Sequence, residues 1–251
     1  MKKLSVYIPV HNEEDHLGDC LNTLDFADEV VVLLDKCSDR SKAIAEAKGA
    51  KIIEGSWDKE GDRRNVAIDH CSGDWILEID ADERVPPELA DEIRQTIENT
   101  DYDLHCIWFD NYVGDKNIRW GWGAYMGVMQ KMILFRKGAK TYDTTRVRHA
   151  KPIIDGELGP VLEHWMIHYV DDSLTDTINR FNSYCTQRAQ ELVEQGTEET
   201  FGRNFRRIFS RFYKCYILRK GYRSGELGFL IAMLAGLYPM VSYLKAKYRL
   251  F

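Results

Sequence analysis

Residues 75–92 read WILEIDADERVPPELADE. A short apolar run, Trp75-Ile76-Leu77 with Ile79, stops at Asp80-Ala81-Asp82-Glu83. Pro86-Pro87 then opens a helical pattern to about Glu98, since proline suits the first helical turn. This is the signature of a buried strand that surfaces into a polar loop and hands over to a helix. Three carboxylates within four residues repel one another unless something positive sits among them.

The same step recurs upstream. Residues 4–9, LSVYIP, read as a strand, followed by helical spacing through Leu17, Leu21 and Leu24. Residues 30–34, VVVLL, form the unbroken apolar run of a buried parallel strand and end at Asp35. Ser38 or Asp39 can cap the next helix, which runs to about Lys48 and stops at Gly49. KIIE at 51–54 reads as a third strand, and a helix over about 62–70 precedes Trp75. Strands alternating with helices predict a parallel α/β sheet with right-handed crossovers, covered on both faces and binding ligands at the carboxyl ends of its strands. Three of those ends are polar: Pro9-Val10-His11-Asn12-Glu13, Asp35-Lys36-Cys37-Ser38-Asp39 and Asp80-Ala81-Asp82. The chain has no GxGxxG and no GxxxxGK[ST], which argues against dinucleotide binding and P-loop chemistry.

Downstream, residues 104–136 read as strands and loops rich in Trp108, Trp120, Trp122 and Tyr125. Residues 145–171 read as irregular, and a helix runs from about Ser173 to Glu194. His164 and His168 are four apart, so a helix there would place both on one face.

The 251 residues suit one domain with an appendage or two small domains. With 44% hydrophobic and 29% charged residues the composition is globular. Six cysteines without a CxxC pair predict buried thiols in a reducing cytoplasm, not a disulfide frame or zinc site. No signal peptide is read at Met1-Lys2-Lys3. The net charge of −6 conceals an asymmetry: residues 201–251 hold eleven Lys/Arg and one acid, Glu226, for +10, leaving −16 on the first 200.

Two aspartates one residue apart at a strand end suit a hard divalent cation, magnesium or manganese, shared with substrate phosphates. The alternative is an acidic turn capping the following helix, a role that also fits Glu83. The set IPVHNEE at 8–14, LLDKCSDRS at 33–41 and GDRRNVAIDHCSGDWILEIDADE at 61–83 resembles the family 2 glycosyltransferases with the GT-A fold. The segment from Asp143 to Tyr184 and the end from Gly221 to Tyr248 resemble the bacterial lipopolysaccharide-core β-1,4-glucosyltransferases.

That resemblance implies a GT-A, Rossmann-like nucleotide-sugar fold with a mixed, mainly parallel sheet over 1–172. Its nucleotide half is about 1–100, its acceptor half about 101–172, and a helical, membrane-associating region follows at 173–251. It implies an inverting hexosyltransferase, with UDP-glucose as donor and a lipid-linked saccharide, such as the lipopolysaccharide inner core, as acceptor. Pro9, His11 and Glu13 would line the nucleotide pocket, and Asp35 would accept a hydrogen bond from the base. Arg64 would lie near the diphosphate, Asp80, beside Ala81, would face the ribose, and Asp82 would hold the metal, with His149 or His168 completing its shell. Relatives carry a glutamate where Ala150 stands here, so Asp155 and Glu157 are the nearest candidates for the base, with Asp110 a weaker one.

Residues 203–223 interleave basic and aromatic residues, the composition of an interfacial helix on an anionic membrane. Leu227–Leu244 is apolar but interrupted by Pro239, and is read as a monotopic anchor or helical hairpin at the cytoplasmic leaflet; the alternative is a helix packed on the catalytic domain. The acidic body argues against nucleic acid as partner. Competing readings are transfer to a capsule, exopolysaccharide or polyprenyl-linked acceptor, and a non-catalytic nucleotide-sugar binder or membrane scaffold.

Overall fold

The computed structural model describes residues 1–123, 126–145 and 150–251. They fall into two compact units, one made of Met1–Trp108 with Gln130–His168, the other of Phe109–Met129 with Tyr169–Phe251.

In the first unit β1 (Leu4–Val10), β2 (Glu29–Asp35), β3 (Lys51–Gly55) and β4 (Trp75–Glu78) are parallel, in the order β3-β2-β1-β4. Their crossovers carry α1 (Leu17–Leu21), α2 (Ser41–Ala47) and α3 (Glu60–His70). Every residue of β1 is buried, as expected of a central strand covered on both faces. Tyr7, Leu33, Ile76 and Phe135 meet in one core cluster, each such side chain contributing about 1.5–3 kcal/mol by burial. After β5 (Glu83–Arg84), α4 (Pro87–Asn99) starts with proline in its first turn and buries Leu89, Ala90, Ile93 and Ile97, a stripe at helical spacing.

The sheet continues past β4 with β8 (Gln130–Arg136), β6 (Leu104–Val113), β11 (Trp165–Asp171) and β5. β8 is antiparallel to both β4 and β6, so the sheet is mixed around a parallel nucleus. β7 (Lys116–Asn117) pairs with the end of β6, and β9 (Lys140–Tyr142) pairs with β10 (Pro152–Ile154). Residues 145–171, expected to be irregular, therefore hold two strands. Residues 165–171 form a strand because β5 offers them backbone partners at Arg84 and Glu83, which local sequence does not display.

Beneath the strand ends Glu78 is buried among Arg64, Lys140 and Tyr142. Lys140 Nζ lies 2.8 Å from Glu78 Oε2 and the Tyr142 hydroxyl donates at 2.7 Å. Burial alone would raise this carboxyl, but Arg64 and Lys140 overcome it and hold Glu78 at about 2, below its ordinary 4.5. Burial lowers the Lys140 ammonium more than its one carboxylate restores, whereas the carboxylate shares two cations and a phenol. A carboxyl with a depressed folded value stabilises fully above the unfolded value and loses that contribution as pH falls. Folding stability from Glu78, of order 3 kcal/mol, is therefore complete above about pH 4.5 and lost on descent toward pH 2. Denaturant unfolding across that range should show Glu78→Gln less stable near neutrality, with a flatter acid limb.

In the second unit α5 (Leu174–Glu194) is capped by the Ser173 hydroxyl, and α6 (Phe201–Tyr213) by that of Thr200. A π-helical stretch (Lys214–Leu218) and a 3-10 turn (Gly221–Ser224) lead to α7 (Gly225–Tyr248). α7 packs on α5 and α6 and buries Ile231, Ala232, Leu234, Ala235 and Tyr238. Gly236 permits the close approach, because a Cβ there would meet the Ile208 carbonyl oxygen at 2.7 Å. The expected interruption at Pro239 does not occur: one helix runs through it, held by neighbouring helices on buried faces, so the hairpin reading is corrected. The helix Gly221–Tyr248 is long and apolar enough to cross a membrane, but 61% of its most apolar window is buried in the protein. Asp171 is buried and accepts two bonds of 2.8 Å from Arg180 and one of 2.8 Å from Thr177.

Candidate active site

The three polar loops expected to converge do so at the carboxyl ends of β1, β2 and β4. Asp80 and Asp82 follow β4, and Glu83 turns inward as β5. Glu83 is wholly buried and accepts from the Asp80 N–H at 3.0 Å. The positive group among these carboxylates is Lys131 of β8, whose Nζ lies 2.5 Å from Glu83 Oε1 and 2.9 Å from Asp80 Oδ2. It reaches them because β8 lies beside β4 and its Gln130 end lies level with the loop after β4. Desolvation would raise Asp80, but Lys131, with Arg64, holds it well below the carboxylate range. Burial, with Asp80 and Asp82 nearby, pushes Glu83 up to about 7 against the opposing Lys131. Lys131 itself is held firmly protonated: burial disfavours its charge, and Asp80 and Glu83 more than restore it.

On the other side of Asp82 stands His168, on β11 opposite Glu83, its Nε2 3.4 Å from Asp82 Oδ2. Ligand atoms of Asp82, Glu83 and His168 lie within 4.8 Å of one another. Asp82 Oδ1 is buried and has no hydrogen-bond partner among the described residues. An orphaned buried carboxylate oxygen beside an imidazole is a donor set that fits a divalent cation, and Asp82 with His168 would hold it. Glu83 is already committed to Lys131 and the Asp80 amide. Glu13, on the loop after β1, is half-buried and its carboxyl is raised, first by desolvation and then by Asp82. Its position beside the aspartates is thus legible in the electrostatics.

At the neighbouring strand end Asp35 accepts from the Trp57 N–H at 3.1 Å and pairs with Arg63 at 3.3 Å. His11 Nδ1 lies 2.6 Å from the Asp35 carbonyl oxygen, and Pro9 is buried in β1 opposite Leu33. A model of the family described as "Glycosyl transferase family 2" matches residues 5–153, a span that contains all of these groups except His168.

The chain belongs to glycosyl transferase family 2.

Among curated relatives of this family 2 chain, an uncharacterised glycosyltransferase of Rickettsia typhi is 26% identical over 242 residues, covering 92% of this chain and 82% of its own. A lipopolysaccharide core biosynthesis glycosyltransferase of Rhizobium meliloti is 24% identical over 98% of this chain and 92% of its own. Among solved structures, a glucosyl-3-phosphoglycerate synthase of Mycobacterium tuberculosis, in complex with Mn2+, UDP and phosphoglyceric acid, is similar over 44% of this chain and 43% of its own, at 20% identity and a TM-score of 0.38.

Not every expected residue of this glycosyltransferase reaches the site. Arg64 points inward, to Glu78, Glu60 and the Tyr142 ring, so its guanidinium is already engaged. Its neighbour Arg63, about 100° round the helix, is the one that meets Asp35, and its Nε is buried without a hydrogen-bond partner among the described residues. Ala81 is buried and its carbonyl accepts from Arg84. Asp155 and Glu157 are exposed at the other end of the sheet: the Glu157 carbonyl accepts from Leu104, which is level with Ile76 across Phe135. That is four residues back from Asp80, roughly 13 Å along the strand direction. The structure does not bring them to the aspartates. Ala150 lies instead at the start of α3, its N–H donating to Glu60. Asp110 is in the second unit, ion-paired with Arg119. His164 binds Glu92, not the aspartates. Tyr125 and the Arg148-His149 pair lie outside the described residues.

Proposed function

We propose that this family 2 chain transfers a hexose, glucose from UDP-glucose, to a lipid-linked saccharide of the lipopolysaccharide-core type, at the cytoplasmic leaflet, with a bound Mg2+ or Mn2+. The observation that carries this reading is the Asp82–His168 pair with its orphaned carboxylate oxygen, set among the ends of three parallel strands. The near full-length likeness to a lipopolysaccharide core glycosyltransferase supports the acceptor class.

When bound, the cation would neutralise the diphosphate and stabilise it as leaving group. The chain's own residues do the rest. Asp35 accepts from the base at the end of β2, with Arg63 in the neighbouring place first assigned to Arg64. Pro9, His11 and Glu13 shape the floor beneath base and ribose, and Asp80, kept ionised by Lys131, accepts from the ribose hydroxyls. The Lys131–Glu83 pair behind them fixes the loop so that Asp82 need not reorganise on binding. A base on the acceptor side takes the proton of the attacking hydroxyl as the sugar leaves.

Calorimetric titration with UDP is the test. Binding with manganese or magnesium, at least tenfold weaker in EDTA, is expected. Failure of UDP under every metal condition, together with failure of GDP, ADP and CMP, overturns the reading. Affinity for UDP-glucose without any turnover would leave the binder or scaffold in its place.

A further inference from the structure

We infer that the outer face of α6 and the π-helical stretch after it is a docking surface for an anionic lipid bilayer, and that α7 is not. The inference rests on the membrane-acceptor reading above and names the surface that serves it.

Phe201, Phe205, Phe209 and Tyr213 recur every four residues, and all four are exposed, Phe209 at 62%. Phe201 stacks on Phe205 at 5.9 Å, and Phe205 meets Phe209 edge-on at 5.3 Å, so the rings form a continuous stripe open to solvent. Exposed Ile217 and Leu218 extend it through the π-helical stretch. At about 100° per residue, Arg206 falls along one border of the stripe with Arg203 and Lys214 further round on the same side, and Asn204 and Cys215, both buried, lie beyond the other border. The order round the helix is thus core, aromatic, basic.

Exposed rings at this density are not needed for the fold, since α6 already packs on α7 with Ile208 against Gly236, and Cys215 of the π-helical stretch shares a core cluster with Ile231 and Ala232. The occupant is chosen by charge. Residues 201–225 contain eight Lys/Arg and no acid, on a chain whose first 200 residues carry −16. A bare aromatic interface with a second copy would bring two such basic borders together, whereas anionic headgroups complement them. Rings flanked by Arg and Lys are the composition that lies at the headgroup boundary. α7 passes the length test for a span, but 61% of its most apolar window is buried in the protein, where α7 packs on α5 and α6.

The full chain is sedimented with phosphatidylcholine vesicles with and without phosphatidylglycerol, at low and physiological salt. Binding that requires phosphatidylglycerol and weakens with salt is expected. Phe205→Ser with Phe209→Ser, and separately Arg203→Glu with Arg206→Glu, each lower partition roughly tenfold or more while UDP affinity is unchanged. On the unaltered chain, vesicles slow amide exchange over 201–218 and leave 231–243 as it was. Partition unaffected by both variants, exchange protection in α7 instead, or a self-associated dimer that the Phe variants dissociate would overturn the inference. Loss of vesicle binding with UDP binding intact sinks this surface alone; loss of UDP binding in the unaltered chain sinks the transferase reading instead.

Discussion

Asp82→Ala is expected to keep its fold and, on the transferase reading proposed above, to abolish metal-dependent UDP binding together with slow acceptor-free hydrolysis of UDP-glucose. Asp82 Oδ1 has no hydrogen-bond partner among the described residues and Oδ2 makes a long contact to His168, so truncation removes no buried hydrogen bond from Oδ1 and relieves repulsion with Glu13 and Glu83. Stability should move by less than about 1 kcal/mol, the range for a change outside the core. Activity should not be spared. A cation on a developing diphosphate is worth several kcal/mol in the transition state, and its loss costs roughly a thousandfold in rate. Steady-state hydrolysis with manganese, read beside the calorimetric UDP affinity, measures both. A variant that binds UDP with the same metal dependence as the parent chain would return the acidic cluster to the role of a capping turn.

Lys131→Met is expected to fail in the opposite way, through stability. The methionine keeps the volume of the stem but removes the ammonium that pairs with both Glu83 and Asp80. Glu83 is wholly enclosed, and a buried carboxylate without its partner is strongly destabilising, while protonation of Glu83 limits the loss. About 3 kcal/mol is the expected cost in denaturant unfolding, allowing for the part of Lys131 that solvent still reaches. Adding Glu83→Gln should recover more than half of it, because the amide no longer needs a counter-charge and still accepts from the Asp80 N–H. If the double variant is as unstable as the single one, the pairing with Glu83 is not what holds this loop.

These two residues mark the limit of what the sequence shows. The alternation of strand and helix up to Asn99 was legible because each strand ends in a polar loop and each apolar run has the length of a buried strand. So was the placement of Asp80 and Asp82 at a strand end, where a cation site and an acidic turn capping the next helix have the same local pattern. Lys131 was not legible. It is a lone lysine at the start of an apolar strand, separated from Asp80 by 51 residues, and only the antiparallel placement of β8 beside β4 brings it to the carboxylates. The choice between Arg63 and Arg64 was equally closed, because adjacent residues on a helix differ by about 100° and the phase of α3 is set by its packing.

The sequence by itself determined the parallel nucleus, the end of the sheet at which its polar loops lie and the pair of aspartates at the end of β4. All of these follow from local periodicity and from charge placed where a strand surfaces. The tertiary structure alone decided what neutralises the cluster, that Asp155 and Glu157 sit at the other end of the sheet, and that α7 is a packed helix while the rings of α6 stay in solvent. Each of those depends on strand order or on which helix face is already covered, and neither is written in the spacing of residues along the chain.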